Sequence, residues 1–314
     1  MTLLIEQAAA EHGPECIRRL CSSCGLSRSS FYRYRTIAAG QIPASKRLST
    51  EMALKSAIQN AAVDWSTYGY RRITAELRRK GWRVNRKRVL RLMREDNLLC
   101  LRRRRFVATT DSSHALPVYP NLASSMHVDG PDQLWVADIT YIRLPTEFIY
   151  LAVILDAFSR RCVGWELGRR IDANLCIATL RMALDHRRPA PGLVHHSDRG
   201  VQYASKEYID LLNRAGIRIS MSRKGNPYDN AYAESFIKTL KYEEVYLNDY
   251  QNMKEARDAI AYFLEDVYNQ KRLHSALDYM PPAEFERNHA QTAFLRRAVA
   301  QAATGQCLLQ EPVV

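Results

Sequence analysis

Apolar positions recur with two different periods along this chain, and the change of period divides it. Over the first hundred residues the spacing is helical. Ile17, Leu20 and Cys21 give one short helix an apolar face, and Gly25 supplies a turn. Ser27 is placed to cap a second helix that carries Phe31 and Tyr34 inward, with Arg28, Arg33 and Arg35 left outward. This helix-turn-helix pattern is assigned to residues 1–45. A second helical unit, residues 46–105, has its clearest piece after Gly81, with Asn85 as cap and a helix over Arg86 to Glu95. At 100° per residue, Val89, Leu92 and Met93 fall on one side of it and Lys87, Arg91 and Arg94 on the other. The pattern lapses at Phe106. Pro117, Pro120 and Pro131, with the pairs Ser112-Ser113 and Ser124-Ser125, mark a linker over residues 106–131.

Beyond the linker the period drops to two. Leu134 to Leu144, Phe148 to Ala157 and Cys162 to Leu167 read as three strands in quick succession, antiparallel by short connections. A helix over Asp172 to His186 precedes a fourth strand, Gly192 to His196. A helix over Ser205 to Ala215 leads to a fifth, Ile217 to Met221. Helices then follow over Asn230 to Tyr246 and Met253 to Asn269. Three strands followed by alternating helix and strand predict an α/β fold over residues 132–286. It is a mixed five-stranded sheet flanked by helices, preceded by an all-α region. Residues 287–314 show no clear pattern and are expected to form a loosely packed tail.

Composition changes this picture in one respect. With 46% hydrophobic and 25% charged residues, the 314-residue chain is not a disordered one. The longest apolar run, Phe148 to Leu155, is too short to span a membrane. Met1 to Gly13 has no basic leader, so a cytoplasmic location without a membrane partner is expected. The formal net charge of +13, however, is unevenly placed. Residues 1–125 hold 23 basic and 9 acidic side chains, which leaves 23 basic and 24 acidic for the rest. A basic half beside a neutral half fits a nucleic-acid-binding module joined to another activity. The competing reading is a solvated helix surface. The face of Lys87, Arg91 and Arg94 suits a phosphate backbone. The seven cysteines read as reduced thiols, and the spacing of His12, Cys16, Cys21 and Cys24 suits helix packing better than zinc.

Candidate chemistry is concentrated in three segments of the second half. W-V-A-D-I-T-Y (135–141) places Asp138 inside the first strand, and H-H-S-D-R-G-V-Q-Y (195–203) places Asp198 just past the fourth. N-P-Y-D-N-A-Y-A-E-S-F-I-K-T-L-K (226–241) places Glu234 on a helix. An acid inside a buried strand is costly unless paired or metal-bound. If strands one and four are neighbours, both aspartates reach one site, and the helix can bring Glu234 over it. Three converging carboxylates cannot all stay ionised without cations. Hard oxygen donors select magnesium or manganese, and two such ions can assist both the attacking and leaving oxygens of a phosphodiester. Taken singly, Asp138 would be a strand-end salt bridge, Asp198 a turn former, and Glu234 an i,i+4 partner of Lys238. Asp229 and Asn230 read as helix caps and Asp156 as structural. His195 and His196, adjacent on a strand, face opposite ways and cannot chelate together.

Asp138, Asp198 and Glu234, with 35 residues between the last two, resemble the D-D-35-E triad of the retroviral integrase superfamily. The segments D-I-T-Y, L-D-A-F-S-R-R-C-V-G-W, H-S-D-R-G-V-Q-Y, G-N-P-Y-D-N-A-Y-A-E-S-F and Y-N-Q-K-R-L-H-S-A-L are more specific. They are similar to insertion-sequence-three transposases, in the second reading frame, and with Y-G-Y-R-R-I at 68–73 the likeness covers about Glu15 to Phe285. The resemblance implies an RNase H-like core in which Asp138, Asp198 and Glu234 bind two magnesium ions, manganese substituting. It implies a DNA transposase that nicks element ends with water and then joins the freed 3′ hydroxyl to another phosphodiester. Terminal inverted repeats and target DNA would be its partners, bound by a homo-oligomer at the nucleoid, with Arg28, Arg33, Lys87, Arg91 and Arg94 as DNA contacts. Lys238 and Lys241, at +4 and +7 from Glu234, share its helix face and fit a DNA end or an ordinary surface pair. Arg272 and His274 fit DNA contact and packing equally. The zinc module of retroviral integrases is absent, as is a heptad run. The resemblance therefore implies a component whose partner is the upstream-frame protein, joined by frameshifting. The rival readings are a DNA-binding regulator with an idle core and a nuclease without joining activity.

Overall fold

A computed structural model describes residues 5, 7, 8, 10, 13, 15–38, 44–98, 117–223 and 230–303. The chain divides into two units, Met1–Leu101 and Arg102–Val314. His12, Asp229, the basic residues at 102–105, the linker up to 116 and residues 304–314 lie outside the described residues.

In the first unit, α1 (Cys16–Ser23) and α2 (Arg28–Ala38) meet at Gly25, whose φ of +63° is one that a side chain disfavours. Ser27 Oγ accepts the Ser30 N–H at 3.1 Å, the expected cap, and Ile17, Cys21 and Phe31 are buried together. Tyr34 departs from expectation: it is 49% exposed, with the Arg33 guanidinium 5.7 Å from its ring. Two helices this short cover one narrow stripe, and Phe31 occupies it. Helices α3 (Ala44–Asp64), α4 (Tyr70–Arg79) and α5 (Arg86–Glu95) bury Leu54, Ile58, Ile73, Leu77, Val89, Leu92 and Met93. The Asn85 side chain accepts the Lys87 N–H at 2.8 Å and so caps α5 as its sequence predicts.

The second unit is built on five strands: β1 (Leu134–Arg143), β2 (Phe148–Asp156), β3 (Cys162–Gly168), β4 (Val194–Ser197) and β5 (Arg218–Met221). Their order is β3-β2-β1-β4-β5. The β1–β2 and β2–β3 pairs are antiparallel, and the β1–β4 and β4–β5 pairs are parallel. Alternation along β1 feeds two cores. Trp135 and Ala137 join the cluster under α6 (Ala173–Arg187) and α7 (Lys206–Arg214). Leu134 and Val136 join the cluster under α8 (Ala231–Leu240) and α9 (Met253–Tyr262). Each of these last two helices, expected as one piece, loosens into a π turn, over Lys241–Val245 and Phe263–Tyr268 respectively.

Two segments flanking the expected core also pack on the second unit. The described part of the linker, from Pro117, packs on the second unit: Leu122, Met126 and Val128 lie against its core, and Ser220 Oγ accepts the Leu122 N–H at 2.9 Å. At the other end, α10 (Pro282–Ala303) extends into the expected tail as far as Ala303. It is held by Glu286, which accepts from Arg187 at 2.9 Å and from Arg161 at 2.7 Å. Beyond that, Phe294, Leu295 and Val299 are exposed, so no burial period marks the helix in the sequence. No helix among the described residues is long and apolar enough to cross a membrane.

Helix α6 lies so close to β3 that a Cβ on Gly164 would stand 2.5 Å from the Thr179 carbonyl oxygen and 2.9 Å from Ala183 Cβ. Gly164→Ala should therefore destabilise the second unit by about 1–3 kcal/mol in denaturant titration. An unchanged midpoint would show that α6 can move away at no cost.

Candidate active site

The site is assembled at the end of the parallel pairing. That pairing runs from Leu134↔Val194 to Val136↔His196, and Asp138 and Asp198 each stand two residues further on. Both are half-buried. Asp138 accepts the Ile139 N–H at 2.9 Å, and Asp198 accepts the Gly200 N–H at 2.9 Å. The loop after Asp198 is tied down by Arg199, whose Nε donates to the Ser222 carbonyl at 2.8 Å. Glu234 is exposed on α8, whose opposite face buries Ala233, Phe236 and Leu240.

Electrostatics joins the three acids. Burial, then the charge of Asp198 and further that of Glu234, push the Asp138 carboxyl up to about 7. The Ile139 N–H and Lys241 oppose this rise. Lys241 also lies over the Tyr141 ring, with Nζ 4.3 Å from its centroid. Burial lowers the Lys241 pKa, while Asp138 works against that shift. The structure thus brings Asp138, Asp198, Glu234 and Lys241 into one electrostatic neighbourhood, with Lys238 exposed one turn along α8. Among the described residues, no three His, Cys, Asp or Glu side chains stand at a spacing that could hold a metal ion. The donor set itself fits a hard divalent cation. It offers carboxylate oxygens alone, and their mutual repulsion is already expressed at Asp138.

Arg28 and Arg33 are exposed on α2, and Lys87, Arg91 and Arg94 are exposed on α5. Arg91 is already engaged by Glu51 at 2.8 Å and Glu95 at 2.5 Å. Asp156 is fully buried and accepts from the Asp132 N–H and the Ser159 N–H, each at 2.7 Å, so it is structural. Arg272, 2% exposed, is packing: it holds Glu243 with two hydrogen bonds of 2.6 Å under the π turn of α8. His274 is buried with its ring against Tyr268. Asn230 occupies the N-cap position of α8 but makes no cap hydrogen bond; its Nδ2 lies 3.5 Å from the Ala137 carbonyl oxygen instead. Sequence reasoning missed this, although Asn230 stands four residues before Glu234 and so shares its helix face.

The chain matches two models of an integrase core domain, over residues 128–227 and 215–282, and an HTH-like domain over residues 50–106. It is 40% identical to the insertion element IS600 uncharacterized 31 kDa protein of Shigella sonnei, over 87% of this chain and 100% of that one. It is 33% identical to the transposase InsF for insertion sequence IS3A of Escherichia coli (strain K12), over 91% of this chain and 98% of that one. Among solved structures, the catalytic core domain of BIV integrase is 18% identical over 52% of this chain and 99% of that one, with a TM-score of 0.40.

Strand β4, which delivers Asp198, carries two buried histidines. His196 lies between Ser220 Oγ at 2.8 Å and Ser222 Oγ at 3.0 Å, and His195 Nε2 is 2.9 Å from the Tyr208 hydroxyl. Burial, with a smaller effect of His196, pulls the His195 pKa down to about 3. Between the ordinary histidine value and 3, the unfolded chain takes up a proton that the folded chain refuses. The stability this contributes is complete above about pH 6.5 and is lost as pH falls toward 3. His195→Gln should flatten the acid side of the stability profile by roughly 1 kcal/mol per pH unit, measured by urea titration between pH 6.5 and 4. An unchanged slope would mean that His195 is protonated in the folded chain.

Proposed function

This chain belongs to the IS3 family of transposases and carries their polynucleotidyl transferase core, and from that premise we propose that Asp138, Asp198 and Glu234 hold divalent metal for cutting and joining DNA at element ends. One arrangement carries the assignment: Asp138 and Asp198 stand at matching positions just beyond the end of the β1–β4 pairing, and Asp198 and Glu234 both push the half-buried Asp138 carboxyl up. Such an arrangement is destabilising for the chain alone and is relieved by cations. When bound, two magnesium ions, or manganese in their place, would activate the attacking oxygen and stabilise the leaving oxygen of a phosphodiester. The chain's own part is to position. Asp138 is fixed by the sheet, Asp198 by its loop bond to Gly200, and Glu234 by the buried face of α8. Lys241, beside Asp138, and Lys238, one turn on from Glu234, provide cations for the backbone of a DNA end.

The first unit holds the DNA. Arg28 and Arg33 on α2, with Lys87 and Arg94 on α5, are exposed cations suited to phosphates. Arg91 contributes less, because Glu51 and Glu95 already share its charge. The substrates are the terminal inverted repeats of the element and target DNA. The protein acts at the nucleoid as several copies assembled on DNA, with the upstream-frame protein as a frameshifted partner.

Duplexes carrying the element ends test this directly. With magnesium the protein should nick and join them, and chelation should abolish both reactions. Asp138→Asn should lower both rates by at least about 100-fold. Magnesium should raise the melting temperature of the natural chain and leave Asp138→Asn unmoved. Wild-type rates in Asp138→Asn would overturn the assignment. Replacing Lys87 and Arg94 together by Gln should weaken binding to element and random duplexes alike. It should also reduce the slope of log affinity against log salt by about 2. An unaltered slope would remove α5 from the phosphate contacts.

A further inference from the structure

The end of the β1–β4 pairing leaves one acceptor without its strand partner. Carbonyls alternate sides along a strand, so Ala137 points the same way as Gln133, whose carbonyl accepts the Val194 N–H of β4 at 2.9 Å. At Ala137 the pairing with β4 is over. The Asn230 side chain faces that carbonyl instead, with Nδ2 at 3.5 Å. A carbonyl oxygen can only accept, so the amide nitrogen must face it and Oδ1 must point elsewhere. Asn230 is 8% exposed, and among the described residues its Oδ1 has no hydrogen-bond partner. A buried acceptor without a donor is destabilising, and here the loss is not offset by capping, since Asn230 makes no cap hydrogen bond. The amide therefore touches the residue before Asp138 on one side and leaves a buried acceptor on the other, one helical turn before Glu234.

We propose that Asn230 is a positioning residue of the cutting and joining reaction, whose Oδ1 accepts the O–H of the attacking group. That group is water when the end is nicked and the 3′ hydroxyl of DNA when it is joined. A small hydroxyl donor is common to both steps and suits an enclosed acceptor. In each step the attacking oxygen bonds to phosphorus as the bond to the leaving oxygen breaks. The attacker's proton passes to solvent, and the leaving oxygen takes one from solvent. Asn230 accepts the hydrogen bond of the attacking O–H until that proton leaves for solvent, and itself holds no proton. The inference rests on the metal-dependent transposase reading above.

A binding experiment on the full chain tests it without turnover. Element-end duplexes terminating in a 3′ hydroxyl or a 3′ deoxy sugar are compared by fluorescence anisotropy, with and without magnesium. The natural chain should bind the hydroxyl end roughly fivefold tighter. Asn230→Ala should bind both ends equally, with the affinity of the natural chain for the deoxy end. Asn230→Ser, which keeps a smaller acceptor, should retain part of the preference. Joining by Asn230→Ala should fall by about 10-fold or more, with its melting temperature close to that of the natural chain. A natural chain indifferent to the 3′ hydroxyl, or a preference that survives in Asn230→Ala, overturns the inference alone. A natural chain that neither nicks nor joins overturns the transposase reading, and this inference with it.

Discussion

The parallel pairing of β1 with β4 extends only from Leu134↔Val194 to Val136↔His196, and the candidate site depends on its ending there. Were it two residues longer, Asp138 and Asp198 would be committed to the ladder as ordinary neighbours. Because β4 ends at Ser197, Asp198 stands just past the carboxyl end of β4 while Asp138 lies on β1 beyond the pairing with it, a strand end of the kind where open α/β sheets generally receive ligands. The same ending releases the Ala137 carbonyl, which Asn230 then meets from α8. Asp138 registers the result: it is a strand acid whose ionisation is opposed by burial and by the other two carboxylates.

A gap with like charges around it needs a stiff surround, and two ionic assemblies supply one. On one side, buried Asp156 holds the turn after β2 through Ser159, and Arg187 at the end of α6 joins Asp132 to Glu286 of α10. On the other, Arg272 and Glu243 form a buried two-bond pair that fixes the π turn following α8, and with it the helix that carries Glu234. Charged groups removed from water persist only where their hydrogen bonds are made, and both assemblies meet that condition. Gly164 acts by absence of volume, letting α6 settle against β3 and close one face of the sheet.

Much of this was legible in the sequence because the physics behind it is local. The strands appeared as short apolar runs of period two, and α5 as an apolar stripe opposite a basic one with Asn85 at its head. Asp138 and Asp198 stood out because a strand interior and a strand end are expensive places for carboxylates, and Glu234 through the 35 residues that separate it from Asp198. What was illegible depended on long-range pairing. Nothing local says that Arg272 will reach Glu243, 29 positions away, or that Glu286 will meet Arg161 and Arg187. Asn230 carries a strong capping signal, and only the early end of β4 pulls its side chain aside. Helix α10 was hidden because its exposed half has no buried face to set a period. Tyr34 was misplaced inward because a periodic pattern says nothing about how wide a stripe the partner helix can cover.

The central claim is that three carboxylates from β1, the loop after β4 and α8 form one cation site at the end of the β1–β4 pairing. Anomalous scattering from crystals grown with manganese tests it most directly. Manganese should be bound by carboxylate oxygens of Asp138, Asp198 and Glu234. Manganese bound elsewhere, with those carboxylates free of metal, would contradict it.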